Sequence, residues 1–403
     1  MASLTFYIVG MGRKVRKRFS GNLSKILSSI YESDVGYRKI ILSLIDKPLS
    51  LEEIVKKTGL NVDECKLYLK DLTRSKLLRE RNGVFSNVIP CFDTKNMKKL
   101  SKKAEKITGG MVEVAEEYVN ELAHEWEKNG KDWSWDQVSH FFIDMFVLDI
   151  LFLRAIKSLE KKNGVWEKRT TGQRVVPAFF IEQNKDYQIF GVNTYITKKL
   201  VILHGSIFER EERELIKLFE SRKVWQAVNR LKVSRKVFEL DEEIAKLMLE
   251  FNWIEKENGE YHLTIPVIHA KEIERFIPKM AKASVSIAEK AIEHYPKIIE
   301  MYEKSPYALY LEGPGDFIDY IYHVMMLKTI LKLMRKGLLP KIPKPTPWNV
   351  GVYLLDGKIS EIMGMFFKMY KEVRKMTGVE TEWGKISLKD RLSFFLLSKF
   401  ARA

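Results

Sequence analysis

Apolar residues recur at helical spacing along most of this chain, and short alternating runs break that rhythm at a few places. Between residues 34 and 92 the pattern is most complete. An amphipathic segment over residues 37–45 is followed by Ser50 and Glu53 at capping-box spacing, with Leu49 placed to staple onto Ile54. Asn61 and Glu64 repeat the start signal ahead of a second periodic run that reaches Leu78. Val62, Cys65, Leu69 and Leu72 share one face of that run and are expected to pack on Ile40, Ile41, Leu44, Ile54 and Val55. Asn82-Gly83, set between Leu77-Leu78 and Val84-Phe85, predicts a tight hairpin. The expected order is helix, helix, short turn, helix, hairpin.

Around this stretch the elements are longer. Residues 1–33 predict a strand from Leu4 to Val9, a basic turn and a helix from about Leu23. From Asp93 a long helical region carries Lys95, Lys98, Lys99, Lys102, Lys103 and Lys106 and ends near Lys128, with Gly109-Gly110 as a candidate bend. Residues 133–162 predict a helix pair with an almost wholly apolar stripe. Residues 175–181 and 187–192 predict a hairpin around Asn184-Lys185-Asp186.

The pattern then recurs. Residues 79–128 align without a gap onto residues 255–304, and twelve pairs are identical, among them Asn82/Asn258, Gly83/Gly259, Ile89/Ile265 and Pro90/Pro266. With a one-residue slip, Phe142-Ile143-Asp144 meets Phe317-Ile318-Asp319. The 179–192 hairpin is echoed by residues 352–365 around Asp356-Gly357. Pro340, Pro343, Pro345 and Pro347 predict an extended crossover before that second hairpin.

Residues 34–92 resemble the winged helix-turn-helix transcription regulators of the bacterial and archaeal ArsR-like and MarR-like kind, and residues 209–268 carry a weaker echo. The resemblance implies a recognition helix in the major groove and a wing near the DNA backbone; winged helices also serve as protein-docking modules. The expected fold is mainly α with small β wings and hairpins (α+β). Two winged-helix units, each followed by a long helix, a helix pair and a β-hairpin, would form a pseudo-two-fold tandem repeat. The expected divisions are a lead-in over 1–33, a first winged helix over 34–92, helices and hairpin over 93–205, a second winged helix over 206–268, helices and hairpin over 269–375, and a basic tail over 376–403. Residues 198–211 hold no Gly/Ser/Pro-rich linker, which favours a compact arrangement of the two halves.

Charge sharpens this reading. Lys+Arg number 69 against Asp+Glu 53, a net +16 that favours a polyanionic partner, nucleic acid before an anionic membrane. On the helix after Asn61, Asp63, Leu67, Lys70 and Arg74 lie opposite the apolar face, with Lys66 at its edge. Lys66, Lys70, Arg74 and Lys76, the wing residues Arg79 and Arg81, and Lys98 and Lys102 beyond are therefore the candidate contacts to double-stranded DNA. The second copy reverses the balance, with five bases and seven acids over residues 232–259. Its core face is expected at Val237, Leu240, Ile244, Leu247 and Phe251, leaving Phe238, Ala245 and Leu249 as a candidate protein-docking surface.

Catalytic chemistry has little support. The chain carries neither a P-loop nor G-x-G-x-x-G, and His262 and His269 have no ligand-spaced Cys or carboxylate. No cofactor, metal or enzymatic activity is expected. Asp144 and Asp319 read as helix-packing or capping groups, and Cys65 as a buried, inert thiol. The aromatic helices (Trp126, Trp133, Trp135, Phe141, Phe142, Phe146, Phe152; Tyr302, Tyr307, Tyr310, Phe317, Tyr320, Tyr322) read as core rather than an effector pocket. Two cysteines make no disulfide framework, the longest apolar run is too short to span a bilayer, and the charges near the N-terminus follow the apolar stretch rather than precede it. The expected setting is cytoplasmic. The leading expectation is a DNA-binding transcription regulator; the alternative is a non-enzymatic scaffold of transcription or chromosome machinery that docks proteins through its winged helices.

Overall fold

Helices dominate the chain, and small sheets are set between them. The computed structural model describes residues 3–9, 35–92, 94–129, 132–165, 176–182, 190–196, 201–207, 221–234, 236–237, 239–341 and 349–379. In chain order the first elements are β1 (Ser3–Val9), α1 (Val35–Ser43), β2 (Leu49–Ser50), α2 (Leu51–Thr58), α3 (Val62–Arg74), β3 (Leu78–Arg81), β4 (Val84–Asn87) and β5 (Cys91–Phe92). Then come α4 (Thr94–Lys106), α5 (Gly109–Asn129), α6 (Trp135–His140), a π-helix (Phe141–Leu151), α7 (Phe152–Lys162), β6 (Val176–Glu182), β7 (Phe190–Ile196) and β8 (Val201–Ile207). These are followed by α8 (Arg222–Ser234), β9 (Lys236–Val237), α9 (Glu242–Glu250), β10 (Ile254–Glu257), β11 (Glu260–Leu263), β12 (Val267–His269), α10 (Ala270–Glu274) and α11 (Ile277–Ile292). The last are α12 (Tyr295–Glu303), a 3-10 turn (Pro306–Leu309), α13 (Gly315–Arg335), β13 (Asn349–Asp356) and α14 (Ile359–Thr377). They divide into two units: residues 1–107, 165–187 and 293–325, and residues 108–164, 188–292 and 326–403.

In the first unit, α1, α2 and α3 close over one apolar core that includes Ile40, Ile41, Leu44, Ile54, Cys65, Leu69 and Leu72. The two helix starts are built as the spacing predicts, with reciprocal capping boxes at Ser50/Glu53 and Asn61/Glu64. Val62 departs from expectation. As the first residue of α3 it lies beyond the edge of the core and is 46% exposed. Gly36 sits against the Tyr68 ring, where a Cβ would fall 2.2 Å from a ring carbon, so only glycine permits that approach. The chain leaves α3 through Lys76, which takes a left-handed φ of 59°, while Leu77 N–H donates to Leu72 O at 3.0 Å. Asn82 and Gly83 both have positive φ, the requirement of a type I′ hairpin, and β3 and β4 pair from Leu78↔Asn87 to Arg81↔Val84. With β2 they form a sheet in the order β2-β4-β3.

Asn87 ties this sheet to the helices. Its side chain is fully buried, and its Nδ2 donates to Ile41 O at 3.3 Å and to Leu44 O at 3.1 Å, two carbonyls at the C-terminal end of α1. The first unit also holds an aromatic cluster. Phe92 stacks on Tyr320 with ring centroids 3.9 Å apart and also meets Tyr307 at 4.9 Å. The Tyr320 hydroxyl reaches the Met97 sulfur. Tyr307 and Tyr320 are core, as expected, whereas Trp133 and Trp135, also expected there, are only half-buried.

The second unit contains a shorter run of helix, strand, helix and hairpin over residues 222–263. Among the described residues α9 begins at Glu242, soon after β9 ends at Val237, so no helix stands where α2 stands in the first unit. The exit from α9 is nonetheless the same turn 176 residues on: Asn252 has φ 53°, and Trp253 N–H donates to Met248 O at 2.8 Å. Asn258-Gly259 again makes a tight hairpin, between β10 and β11. Elsewhere in this unit α5, α7, α11, α14 and the π-helix pack together. Residues 135–162 follow a single helical path rather than the expected pair; its middle is wound as a π-helix with ten of its eleven residues buried.

Neither of the two expected hairpins outside these modules forms. β6 joins β1 antiparallel and β5 parallel, whereas β7 pairs with β8 in a separate sheet of order β12-β13-β8-β7. After β13 the chain turns at Gly357, φ +135°, and enters α14 directly. Sequence alternation locates strands but not their partners. The expected break between the lysine run and the following helix falls at Ile107-Thr108, immediately before Gly109-Gly110. The basic runs of residues 13–25 and 380–403, and the Pro343–Pro347 crossover, lie outside the described residues.

Replacing Asn87 by Ala removes the donor from two buried carbonyls. It is expected to lower stability by about 1–3 kcal/mol, read as a fall in the urea midpoint with an unchanged m-value. An unchanged midpoint would show that the amide contributes nothing to holding α1.

Candidate nucleic-acid interface

The surface of α3 follows from what it buries. Cys65, Leu69 and Leu72 face the core, so Asp63, Lys66, Leu67, Lys70 and Arg74 emerge on the other side, all exposed. Lys66, Lys70 and Arg74 are spaced four residues apart and form a row with steps of about 6 Å along the axis. Among the described residues none of the three forms an ion pair. Leu67 lies within this row and is 59% exposed. Lys76 continues the cationic surface past the helix end and is exposed. On α4, Met97, Leu100 and Ala104 are buried, and Lys98 and Lys102 point outward with Lys99 and Lys106.

The two wing arginines differ in their surroundings. They lie two residues apart on β3 and so leave the same face of the hairpin. Arg79 Nη1 lies 2.9 Å from Glu312 Oε1, its Nη2 donates to Tyr310 O at 3.0 Å, and its side chain is 21% exposed. Arg81 lies 3.7 Å from the same carboxylate oxygen and is 70% exposed. Arg79 is therefore a structural clamp, which sequence reading missed. Nothing local marks a partner 233 residues away.

The corresponding helix of the second unit presents a different surface. Asp241 caps α9, accepting from Ile244 N–H at 3.3 Å, and is itself ion-paired with Lys223 at 2.7 Å. That start point turns Ile244, Ala245 and Met248 inward. Ala245, expected on the docking surface, is only 3% exposed. The helix begins five residues later than the periodicity suggested, with Val237 in a strand; Val237, Ile244 and Phe251 are core and Leu240 and Leu247 pack against it as expected, while Ala245 and Met248 widen the inward face. Leu249 is exposed as expected, beside exposed Glu242, Glu243, Lys246 and Glu250; Phe238 lies outside the described residues. Glu255, Lys256 and Glu257 are exposed on the hairpin.

The groups weighed for chemistry are occupied locally. Cys65 is fully buried, and burial pushes its thiol up, away from the reactive thiolate. His269 Nε2 lies 3.3 Å from Asp356, which also takes the Lys232 ammonium; His262 lies 3.7 Å from Glu260. Among the described residues no cluster of three or more His, Cys, Asp or Glu side chains has metal-binding geometry. Nor, among them, is any helix long and apolar enough to cross a membrane. No protein-family model, no curated protein and no solved structure matches this chain.

Asp144 has a partner the sequence reading did not identify. It is fully buried at the start of the π-helix, with one oxygen 2.5 Å from His140 Nδ1; His140 Nε2 lies 3.0 Å from Pro340 O. Burial pushes the imidazole down, but the adjacent Asp144 carboxylate and the Pro340 carbonyl outweigh it and hold its proton more firmly than water would. Burial also pushes the Asp144 carboxyl up, against the pull of His140. Both shifts mean that the folded chain binds protons more tightly at this pair than the unfolded chain. The pair's contribution to stability is therefore present below the ordinary imidazole value of 6.5 and is lost as pH rises above it. The gap in urea midpoint between wild type and the variant that neutralises both groups, His140→Gln with Asp144→Asn, is expected to shift in favour of wild type at about pH 6 relative to about pH 8.5; a shift in the opposite direction would overturn this assignment.

Proposed function

We propose that this chain is a DNA-binding winged-helix protein, a transcription regulator, whose helix α3 enters the major groove. The observation that carries the reading is the outward row of Lys66, Lys70 and Arg74 on a helix whose other face is committed to the core. Lys76 and Arg81 extend the row toward the wing, and Lys98 and Lys102 supply a second basic segment suited to flanking phosphates. The net charge of +16 supports a polyanionic partner.

Internal duplication belongs to the same reading. The twelve identities between residues 79–128 and 255–304 include the Asn-Gly pair of each hairpin, and the left-handed residue at the exit of α3 and α9 recurs at the same offset. We place the nucleic-acid contact in the first copy. The second has no counterpart of α2 between β9 and α9 among the described residues and carries an acidic outer face, which suits a protein partner better than phosphate. The exposed Leu249 on that face favours a second role in protein docking, the feature through which a scaffold would act.

A salt-titrated binding assay on duplex DNA of random sequence tests the proposal. Lys70→Gln with Arg74→Gln is expected to weaken binding at least about tenfold and to reduce the salt slope by about two, one for each phosphate or base-edge cation removed. Leu249→Ala is expected to leave duplex binding unchanged. Duplex binding that survives the Lys70/Arg74 change with its slope intact would remove α3 from the interface.

A further inference from the structure

The segment that meets the wing of the first unit brings an acidic group to it. Tyr310 is almost fully buried, and its hydroxyl accepts a hydrogen bond from Cys91 N–H at 3.1 Å, so this segment is fastened into the core beside β5. Two residues on, the Glu312 carboxylate stands opposite both wing arginines, 2.9 Å from Arg79 and 3.7 Å from Arg81. The two contacts are unequal. Arg79 has a second acceptor in Tyr310 O and is mostly enclosed. Arg81 is 70% exposed and its contact with Glu312 is long, the kind of surface ion pair that water and salt weaken readily.

A carboxylate and a backbone phosphate present the same chemistry to a guanidinium: an anion with oxygens that accept its N–H groups. Resting on the DNA-binding reading above, we infer that Glu312 is an internal stand-in for a phosphate at the wing. On duplex binding Arg81 exchanges Glu312 for a backbone phosphate, while Arg79 stays on Tyr310 and Glu312 and positions the hairpin. Glu312 then sets the strength of sequence-independent binding. While Arg81 is partly neutralised within the protein, it adds less to the counterions released when DNA is bound. Arg79 is a positioning residue in this scheme and Arg81 a phosphate contact held in reserve.

The test is the salt dependence of duplex binding by the full chain, measured with a random-sequence duplex. Glu312→Gln keeps an oxygen to accept from Arg79 and removes the charge. It is expected to bind about three- to tenfold more tightly at low salt, with a slope steeper by about 0.9, the value of one phosphate contact. Adding Arg81→Gln to Glu312→Gln is expected to return the slope to that of wild type. A slope unchanged by Glu312→Gln, with wild-type binding intact, overturns the exchange and leaves Glu312 as a structural brace. A steepening that survives Arg81→Gln also overturns it, because the effect would then be diffuse charge. Failure of the wild-type chain to bind duplex DNA removes the underlying reading and this inference with it. The urea midpoint of Glu312→Gln separates a loosened wing, which lowers stability, from a changed slope at constant stability.

Discussion

The rotation of α3 about its own axis is the constraint on which the rest of the first unit depends. Cys65, Leu69 and Leu72 must leave water together, and each large apolar side chain buried there is worth roughly 1.5–3 kcal/mol. Turning the helix by one residue would expose them and draw Lys66 or Lys70 into the core, where an unpaired charge costs far more. The capping box at Asn61 and Glu64 sets where the helix begins, and the left-handed Lys76 sets where it ends. With both ends and one face determined, the outward row has no freedom left. The surface that carries the functional proposal is a consequence of packing.

The same logic applied to α9 gives a different surface. Asp241 starts that helix, and Ile244, Ala245 and Met248 become its inward face. What remains outside is acidic, with Leu249 among the carboxylates. What the two segments share is the exit turn and hairpin, which depend on left-handed backbone at Lys76 and Asn252 and on the Asn-Gly pairs. The differing part is the helix that precedes α3, present as α2 and without a counterpart between β9 and α9 among the described residues. Two segments can share turn chemistry and differ in their charged faces, because the turn is a backbone requirement and the faces are not.

Charges across the chain sort by their surroundings. Arg79 is enclosed and held by two acceptors; Arg81, on the same carboxylate, stands in water. His140 and Asp144 lie deeper still, where the pair is retained because neither group has a cheaper alternative once buried. Asp144 read as a helix-packing or capping group from sequence; its hydrogen bond runs instead to His140 one turn earlier on the same helical path, which adds a titratable element.

How much was legible in the sequence depended on the range of the interaction. The caps at Ser50 and Asn61, the Asn82-Gly83 hairpin and the outward face of α3 were readable, because each is decided by residues within a turn or two of one another. The aromatic core was readable in kind, since rings at helical spacing must be buried somewhere. Strand pairing was not: β6 and β7 look like partners by proximity, yet they belong to different sheets, because alternation specifies a face to bury and not a neighbour to bond. The position of Ala245 was misread because the buried face of α9 is wider than the expected stripe: Ala245 and Met248, each one residue on from Ile244 and Leu247, are buried as well. Sequence by itself thus determined where the chain turns, where its helices start in the first module and which cations face water on α3. Only the tertiary structure decided that Asn87 closes α1, that Glu312 meets the wing and that His140 meets Pro340. Those contacts join groups far apart in sequence, and hydrogen bonds between such groups leave no periodicity to read.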